Sequence, residues 1–297
     1  MSKNKKSIFK GAATALITPF RDGEVDFAAL GDLIDRQIDS GINALVICGT
    51  TGESCTLSDT EHRAVLEYAL AKSGGRVPMI AGTGSNDTAH AIETSRFAAD
   101  IGYDGLLVVT PYYNRATDRG LIKSYLAIAD AAKCPLIIYN VPSRTSCNIS
   151  MPVYRELAKH ENIVAVKEAS GNLSQIAEIF AECGDDLDVY SGNDDQALPI
   201  LALGGLGVIS VVSNIIPSEI TGLFQKWFNG DPLGCRRLHE KYLKLMKAMF
   251  CEVNPIPVKT ACAMMGLCTD EMRLPMCQME DENKNKLQKL LERYNLI

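Results

Sequence analysis

The chain has 297 residues, 46% of them hydrophobic and 22% charged, with a formal net charge of −6. That balance provides for a full apolar core and argues against disorder, and an acidic chain without a basic stripe lacks the footprint of a nucleic-acid binder. The length suits one large domain, since α/β barrels commonly run to about 250 residues as a single unit.

The chain opens on basic "MSKNKKS", followed by "IFKGAATALITPF", where Lys10 and Pro19 interrupt the apolar run. No small-residue cleavage pattern follows, so no signal peptide is expected. No later apolar run approaches the ~18 residues of a membrane span, and a cytoplasmic location is the expectation. Strand-like runs then recur: "AATALI" (12–17), "ALVIC" (44–48), "PMIAG" (78–82), "GLLVVT" (105–110), "PLIIYN" (135–140), "IVAVK" (163–167), "LDVYSG" (187–192) and "GVISV" (207–211). Between them lie amphipathic stretches at helical spacing, such as Phe27, Leu30, Ile34 and Ile38, or Ile176, Ile179 and Phe180. Near-continuous apolar strands alternating with helices imply a parallel sheet covered on both faces.

Eight such strands are the number that closes a (β/α)8 TIM barrel. An open doubly wound sheet would need a glycine turn for phosphate after an early strand. "GTGSND" (82–87) carries Asp87 where the third glycine belongs and follows the third strand, so it is discounted. Beyond the eighth strand helical periodicity continues in "LHEKYLKLMKAMF" (238–250), and the prolines of "NPIPVKTACAMMG" (254–266) suit a helix start. Residues 1–230 are therefore read as the barrel carrying the active site, and 231–297 as additional C-terminal helices packed on it.

The ten cysteines, at 48, 55, 134, 147, 183, 235, 251, 262, 268 and 277, form no C-x-x-C pair, and the four histidines have no ligand spacing. No metal site is expected.

Catalytic groups of a barrel come from the C-terminal ends of its strands and the loops after them. Those ends are polar here: "GTTGES" (49–54), "TPYYN" (110–114), "YNVPSRTS" (139–146), Lys167 and "SGND" (191–194). The period of two puts Ile163, Ala165 and Lys167 on one face of the sixth strand, and Ile137 and Tyr139 on one face of the fifth. If both faces point inward, the amine and the phenol converge. Lys167 is then either an ion-pair partner of an acid such as Glu168 or a Schiff-base nucleophile activated by desolvation. Glu168 should point the other way, which weakens it as the partner. Tyr139 alone reads equally as a core aromatic. Thr50-Thr51-Gly52 is a helix-capping loop or a cradle for a carboxylate, and Arg144 is a loop ion pair or a fork for one.

Together, "GTTGES", "TPYYN", "YNVPSRT", "VKEASGN" and "NPIPVK", in this order and at this spacing, resemble the dihydrodipicolinate synthase family. That family belongs to the pyruvate-dependent class I aldolase and lyase superfamily typified by N-acetylneuraminate lyase. The resemblance runs from about residue 8 to the end. It implies a (β/α)8 barrel with C-terminal helices, a homotetramer built as a dimer of dimers, and condensation of pyruvate with L-aspartate 4-semialdehyde in lysine and diaminopimelate biosynthesis. No cofactor is implied beyond a covalent imine of pyruvate on Lys167. Thr50, Tyr139 and Tyr113 match the family's proton relay, the last supplied across a subunit interface. Thr51 matches the grip on the pyruvate carboxylate and Arg144 the holder of the semialdehyde carboxylate, while Gly192 and Ile209 match positions lining the pyruvate pocket.

Two departures stand out. Ser146 occupies a position where the family often has glycine, which would cost stability if φ is positive there. The resemblance also maps an allosteric lysine cleft onto Ser54, Cys55, Asp59, His62, Asn86, His90 and Tyr112. His90 replaces the glutamate that would accept the effector's ammonium, and Asp59 lies where some members carry histidine. The rival readings are a lyase for N-acetylneuraminate or a 2-keto-3-deoxy sugar acid, and a non-catalytic ligand-binding barrel.

Overall fold

All eight expected strands form in the computed structural model, which describes residues 5–297. They are β1 (Gly11–Ala15), β2 (Ala44–Ile47), β3 (Met79–Gly82), β4 (Gly105–Val109), β5 (Leu136–Asn140), β6 (Ile163–Glu168), β7 (Asp188–Ser191) and β8 (Gly207–Ser210). The strands follow one another around a closed parallel barrel. Every residue of β1, β2, β3, β5, β6 and β8 is buried. Burial on both faces is why these segments read as continuous apolar runs rather than alternating ones, and it makes any ionisable residue within them an exception.

The helices start and stop where local chemistry dictates. Helix Phe27–Asp39 begins at Asp26, whose carboxylate accepts from the Ala29 N–H, and it buries Leu30, Leu33 and Ile34. Helix Asp59–Ser73 has a full capping box between Ser58 and Glu61 and ends on left-handed Gly74. Helix Leu173–Cys183 is capped by Asn172, which accepts from the Ser174 and Gln175 N–H groups, and it turns Ile176 and Ile179 inward.

The chain packs as two compact units, neither continuous in sequence. One runs up to Gly11 and resumes over Pro78–Ile209. Within it Phe9 stacks on Tyr190 with ring centroids 4.2 Å apart, and the Tyr190 hydroxyl donates to the Phe9 carbonyl at 2.6 Å. The other unit comprises Ala12–Val77 and Ser210–Ile297, including helices Pro232–Ala248, Ile256–Met264 and Asp281–Arg293. Its inner polar contacts are local to it: the Gln37 amide donates to the Ser213 carbonyl at 2.8 Å, and the Asn214 amide to the Ala15 carbonyl at 2.8 Å. Proline stands in the first turn of Ile256–Met264, where its missing N–H costs nothing.

Two small elements escape the apolar pattern. Phe20–Arg21 pairs antiparallel with Glu24–Val25 around Asp22 and Gly23, both at positive φ as a tight hairpin turn requires. Strands of two residues are too short to show a period. The second is a four-residue helix, Pro142–Thr145, immediately after β5.

Ser146 closes that helix at φ 53°, in the left-handed region that favours glycine. Its N–H donates to the Pro142 carbonyl at 2.9 Å, and its own carbonyl accepts from the Arg115 guanidinium at 3.3 Å. The conformation is thus held from both sides, and the serine side chain bears the steric cost. Ser146→Gly is expected to stabilise the chain by about 1 kcal/mol, with the melting midpoint rising by roughly 2 °C; an unchanged or lower midpoint would show that the serine is unstrained.

Candidate active site

Lys167 is the fifth residue of β6 and only 5% exposed. The pairing of β5 with β6 puts Tyr139 directly beside Lys167, and Asn140 beside Glu168. The Lys167 amine lies 4.3 Å from the centre of the Tyr139 ring. The convergence expected from strand period therefore occurs. Burial lowers the Lys167 pKa to about 7; the Asp194 carboxylate opposes that fall and the Arg144 guanidinium adds to it. About half of the amines are then unprotonated at neutral pH, where a solvated lysine has fewer than about one in a thousand. An unprotonated amine is the form that attacks a carbonyl carbon.

Glu168, the acid adjacent in sequence, is engaged elsewhere. It is fully buried and accepts from the Asn140 amide at 3.1 Å to each oxygen, from the Tyr154 hydroxyl at 2.9 Å and from the Ser170 N–H at 2.8 Å. Asn140 also donates to Asn148 at 2.9 Å and accepts from the Ile149 N–H at 3.2 Å, while Gln175 donates to the Ile149 carbonyl at 2.9 Å. The carboxylate is thus the hub that ties down the far end of the loop bearing Arg144. A buried carboxyl group with this many donors has its hydrogen bonds met without a lysine.

Gly192 follows β7 and donates its N–H to the Glu168 carbonyl at 2.7 Å. A side chain here would put its first carbon 2.7 Å from the Ala169 methyl and 3.2 Å from Lys167 Cε, so only glycine leaves the space around the amine open. Ile209 is fully buried on β8. Arg144 is exposed on the short helix Pro142–Thr145, yet close enough for its charge to bear on Lys167. Tyr113, in the loop after β4, is 92% exposed at φ 67°. Within one chain it points into solvent.

The Thr50-Thr51 turn follows β2 in the other unit. Gly52 and Ser54 both donate to the Gly49 carbonyl, at 3.1 and 3.4 Å, and the Thr18 hydroxyl donates to the Gly52 carbonyl at 2.7 Å. Thr50 is half-buried; Thr51 is buried and its hydroxyl accepts from the Asn254 amide at 3.0 Å. Glu53 is left-handed at φ 53° and pairs with Lys259. Read from sequence, Glu53, Asn254 and Lys259 carry no role although their motifs stand out, because some two hundred residues separate partners that only folding joins. Asp194, buried in the "SGND" segment, is the other residue that sequence leaves without a role.

The positions mapped to an effector cleft are divided between the units. Ser54 and Cys55 lie on a 3-10 turn, and Asp59 and His62 on the first turns of helix Asp59–Ser73. Asn86 and Tyr112 lie in loops, the former accepting from the Asn114 amide through its carbonyl at 2.9 Å, and His90 lies on helix Thr88–Ile101.

A closed parallel barrel with a desolvated lysine at the C-terminal end of a strand defines a class: barrel enzymes equipped for amine chemistry on carbonyl compounds. The chain belongs to the Dihydrodipicolinate synthetase family, which matches residues 8–294. It is 51% identical to the 4-hydroxy-tetrahydrodipicolinate synthase of Geobacter sulfurreducens, over 98% of this chain and 100% of that one. The crystal structure of dihydrodipicolinate synthase from Aquifex aeolicus superposes with a TM-score of 0.95 at 47% identity, covering 97% of this chain and 99% of the other. The chloride-inhibited dihydrodipicolinate synthase of Acinetobacter baumannii, complexed with pyruvate, does so with 0.95 at 39% identity, over 97% and 99%.

The Lys167 environment sets a pH dependence. Only a neutral amine attacks a carbonyl carbon, so for a carbonyl compound reacting at Lys167 the rate of imine formation should fall about tenfold per pH unit below pH 7 and level off above about pH 8. Rapid mixing with pyruvate followed by a borohydride quench measures this. A midpoint near that of a free lysine would mean that the amine is solvated or charge-paired instead.

Proposed function

We infer that the chain carries out the 4-hydroxy-tetrahydrodipicolinate synthase reaction, condensing pyruvate with L-aspartate 4-semialdehyde on the route to diaminopimelate and lysine. The observation that carries this reading is the desolvated Lys167 amine set against Tyr139, in a chain of this family throughout its length. The neutral amine attacks the pyruvate ketone, the carbonyl oxygen leaves as water, and an imine remains. Loss of a methyl proton gives an enamine, whose terminal carbon attacks the aldehyde carbon while the aldehyde oxygen takes up a proton. The amine of the second substrate then adds to the imine carbon; Lys167 departs as a free amine and the ring closes. The iminium stabilises the carbanion equivalent, so the reading calls for no added cofactor.

The residue roles in this reading follow from chemical type. Tyr139, Thr50 and Tyr113 pass protons between the imine, the enamine and solvent, a service that typically contributes ~10²–10⁴-fold. Thr51 holds the pyruvate carboxylate through its hydroxyl and the N–H groups of its turn. Arg144, exposed yet electrically coupled to Lys167, forks the carboxylate of the semialdehyde. Gly192 leaves room beside the amine and Ile209 lines the apolar side of the pyruvate. The 92% exposure of the Tyr113 phenol supports a role completed by a second subunit, in a homotetramer assembled as a dimer of dimers. A cytoplasmic location is consistent with a biosynthetic enzyme in which no described helix is long and apolar enough to cross a membrane. At the effector positions His90 brings an imidazole where a carboxylate would pair with the ammonium of L-lysine, so any feedback by lysine works without that charge pair.

Borohydride reduction in the presence of pyruvate, with peptide mass spectrometry, tests the imine directly. An adduct on Lys167, absent from Lys167→Ala, is the expected result; an adduct elsewhere or none would overturn the mechanism. A coupled assay with both substrates tests the reaction: cleavage of N-acetylneuraminate without condensation would overturn the substrate assignment.

A further inference from the structure

The C-terminal segment reaches the Thr50–Glu53 turn at three points that the reaction's own residues do not explain. Asn254 donates its amide to the Thr51 hydroxyl at 3.0 Å, out of reach of solvent. Lys259 lies 2.5 Å from one oxygen of Glu53, with side-chain exposures of 0% and 2%. The Arg273 N–H donates to the other oxygen at 3.3 Å, and its guanidinium donates to the Thr56 carbonyl at 3.0 Å and pairs with Glu61. Phe20 lies beneath both cations, its ring centre 4.0 Å from the Lys259 amine and 4.4 Å from Arg273 Cζ.

The turn needs such a hold. Glu53 sits at φ 53° and ψ 35°, a conformation that a residue with a side chain keeps only where its surroundings fix it. Its carboxylate points into the interior, where a charge is tolerated only when paired and hydrogen-bonded. A buried ion pair has little freedom of direction, so Lys259 fixes the Glu53 side chain and with it the end of the turn. Asn254 then fixes the rotamer of Thr51 within that turn.

We propose that Asn254, Lys259 and Glu53 are positioning residues that set the Thr50-Thr51 hydroxyls for pyruvate, so that the C-terminal segment governs the pyruvate step without touching it. The proposal rests on the reading above that this turn serves pyruvate. Removing the Asn254 amide leaves the Thr51 hydroxyl free to rotate and so weakens capture of the carboxylate. Disrupting the Glu53–Lys259 pair lets the whole turn relax, which touches Thr50 as well.

Five variants of the chain test this, Thr51→Val among them as a reference, with pyruvate kinetics, borohydride trapping and melting temperature as readouts. Asn254→Ala should raise KM for pyruvate about tenfold, the equivalent of one hydrogen bond, and change kcat less. The same substitution in a Thr51→Val background should add nothing to KM, because the two residues act through one contact. Glu53→Gln alone breaks a buried pair and is the variant at risk of misfolding. The double variant Glu53→Gln/Lys259→Met removes both charges, so it should melt near the wild-type temperature while keeping a raised KM and a lowered kcat. Wild-type kinetics in Asn254→Ala and in the folded double variant, with the wild-type adduct present on Lys167, would overturn the clamp alone. A wild-type chain that forms no adduct would overturn both the clamp and the reading it rests on.

Discussion

Everything about the reactive end of this barrel depends on keeping one amine dry. Lys167 stands at the end of a strand buried on both faces, with an aromatic ring as its near neighbour and Arg144 close enough to disfavour its charge. Holding an amine neutral at pH 7 when its ordinary pKa is 10.5 costs on the order of 4–5 kcal/mol of folding free energy. The sign follows from linkage. The folded pKa lies below the unfolded one, so the folded state binds fewer protons between pH 7 and 10.5. The penalty is therefore full below about pH 7, fades as the pH rises from there, and is gone above about 10.5. The rest of the chain must supply that stability, which is a substantial fraction of a typical margin. Stability is given up here for a readily deprotonated amine.

The other buried polar groups are arranged so that they do not undo this. Glu168 is the nearest threat, being adjacent in sequence and ionisable, and one strand position decides its fate. The alternation of side chains across β6 sends it away from Lys167, toward the amide of Asn140, the phenol of Tyr154 and the Ser170 N–H. Those contacts, relayed through Asn140, order the far end of the Arg144 loop. Asp194 is the carboxylate whose field does reach the amine, and it limits the fall in pKa rather than cancelling it.

How much of this could be read from sequence depends on the range of each interaction. The eight strands were legible because burial on both faces writes a continuous apolar run, and the pairing of Lys167 with Tyr139 because parity is a local property of a strand. Whether Lys167 pairs with Glu168 was not legible, since it turns on where Glu168 finds its donors, among residues 14 and 28 positions away. Ser146 was intermediate: the residue type flagged a cost conditional on backbone angle, and only the fold shows that φ is 53°. The Glu53–Lys259 contact spans 206 positions and leaves no periodic trace at all.

That last pair also shows what distinguishes the two buried lysines of this chain. Burial lowers the pKa of both. Both also lie against an aromatic ring, Phe20 and Tyr139 respectively, but Lys259 has a carboxylate at 2.5 Å whose charge and hydrogen bond oppose the shift, whereas the Asp194 carboxylate acts on Lys167 at longer range. The same side chain in comparable burial therefore meets opposite electrostatic surroundings. Where a carboxylate is in contact, its charge and hydrogen bond favour the ammonium, and the pair acts as a fixed strut. Where no carboxylate is in contact, desolvation prevails, the proton is more readily lost and the nitrogen lone pair becomes available. Burial alone does not decide the state of a lysine; whether a carboxylate is in contact with it does.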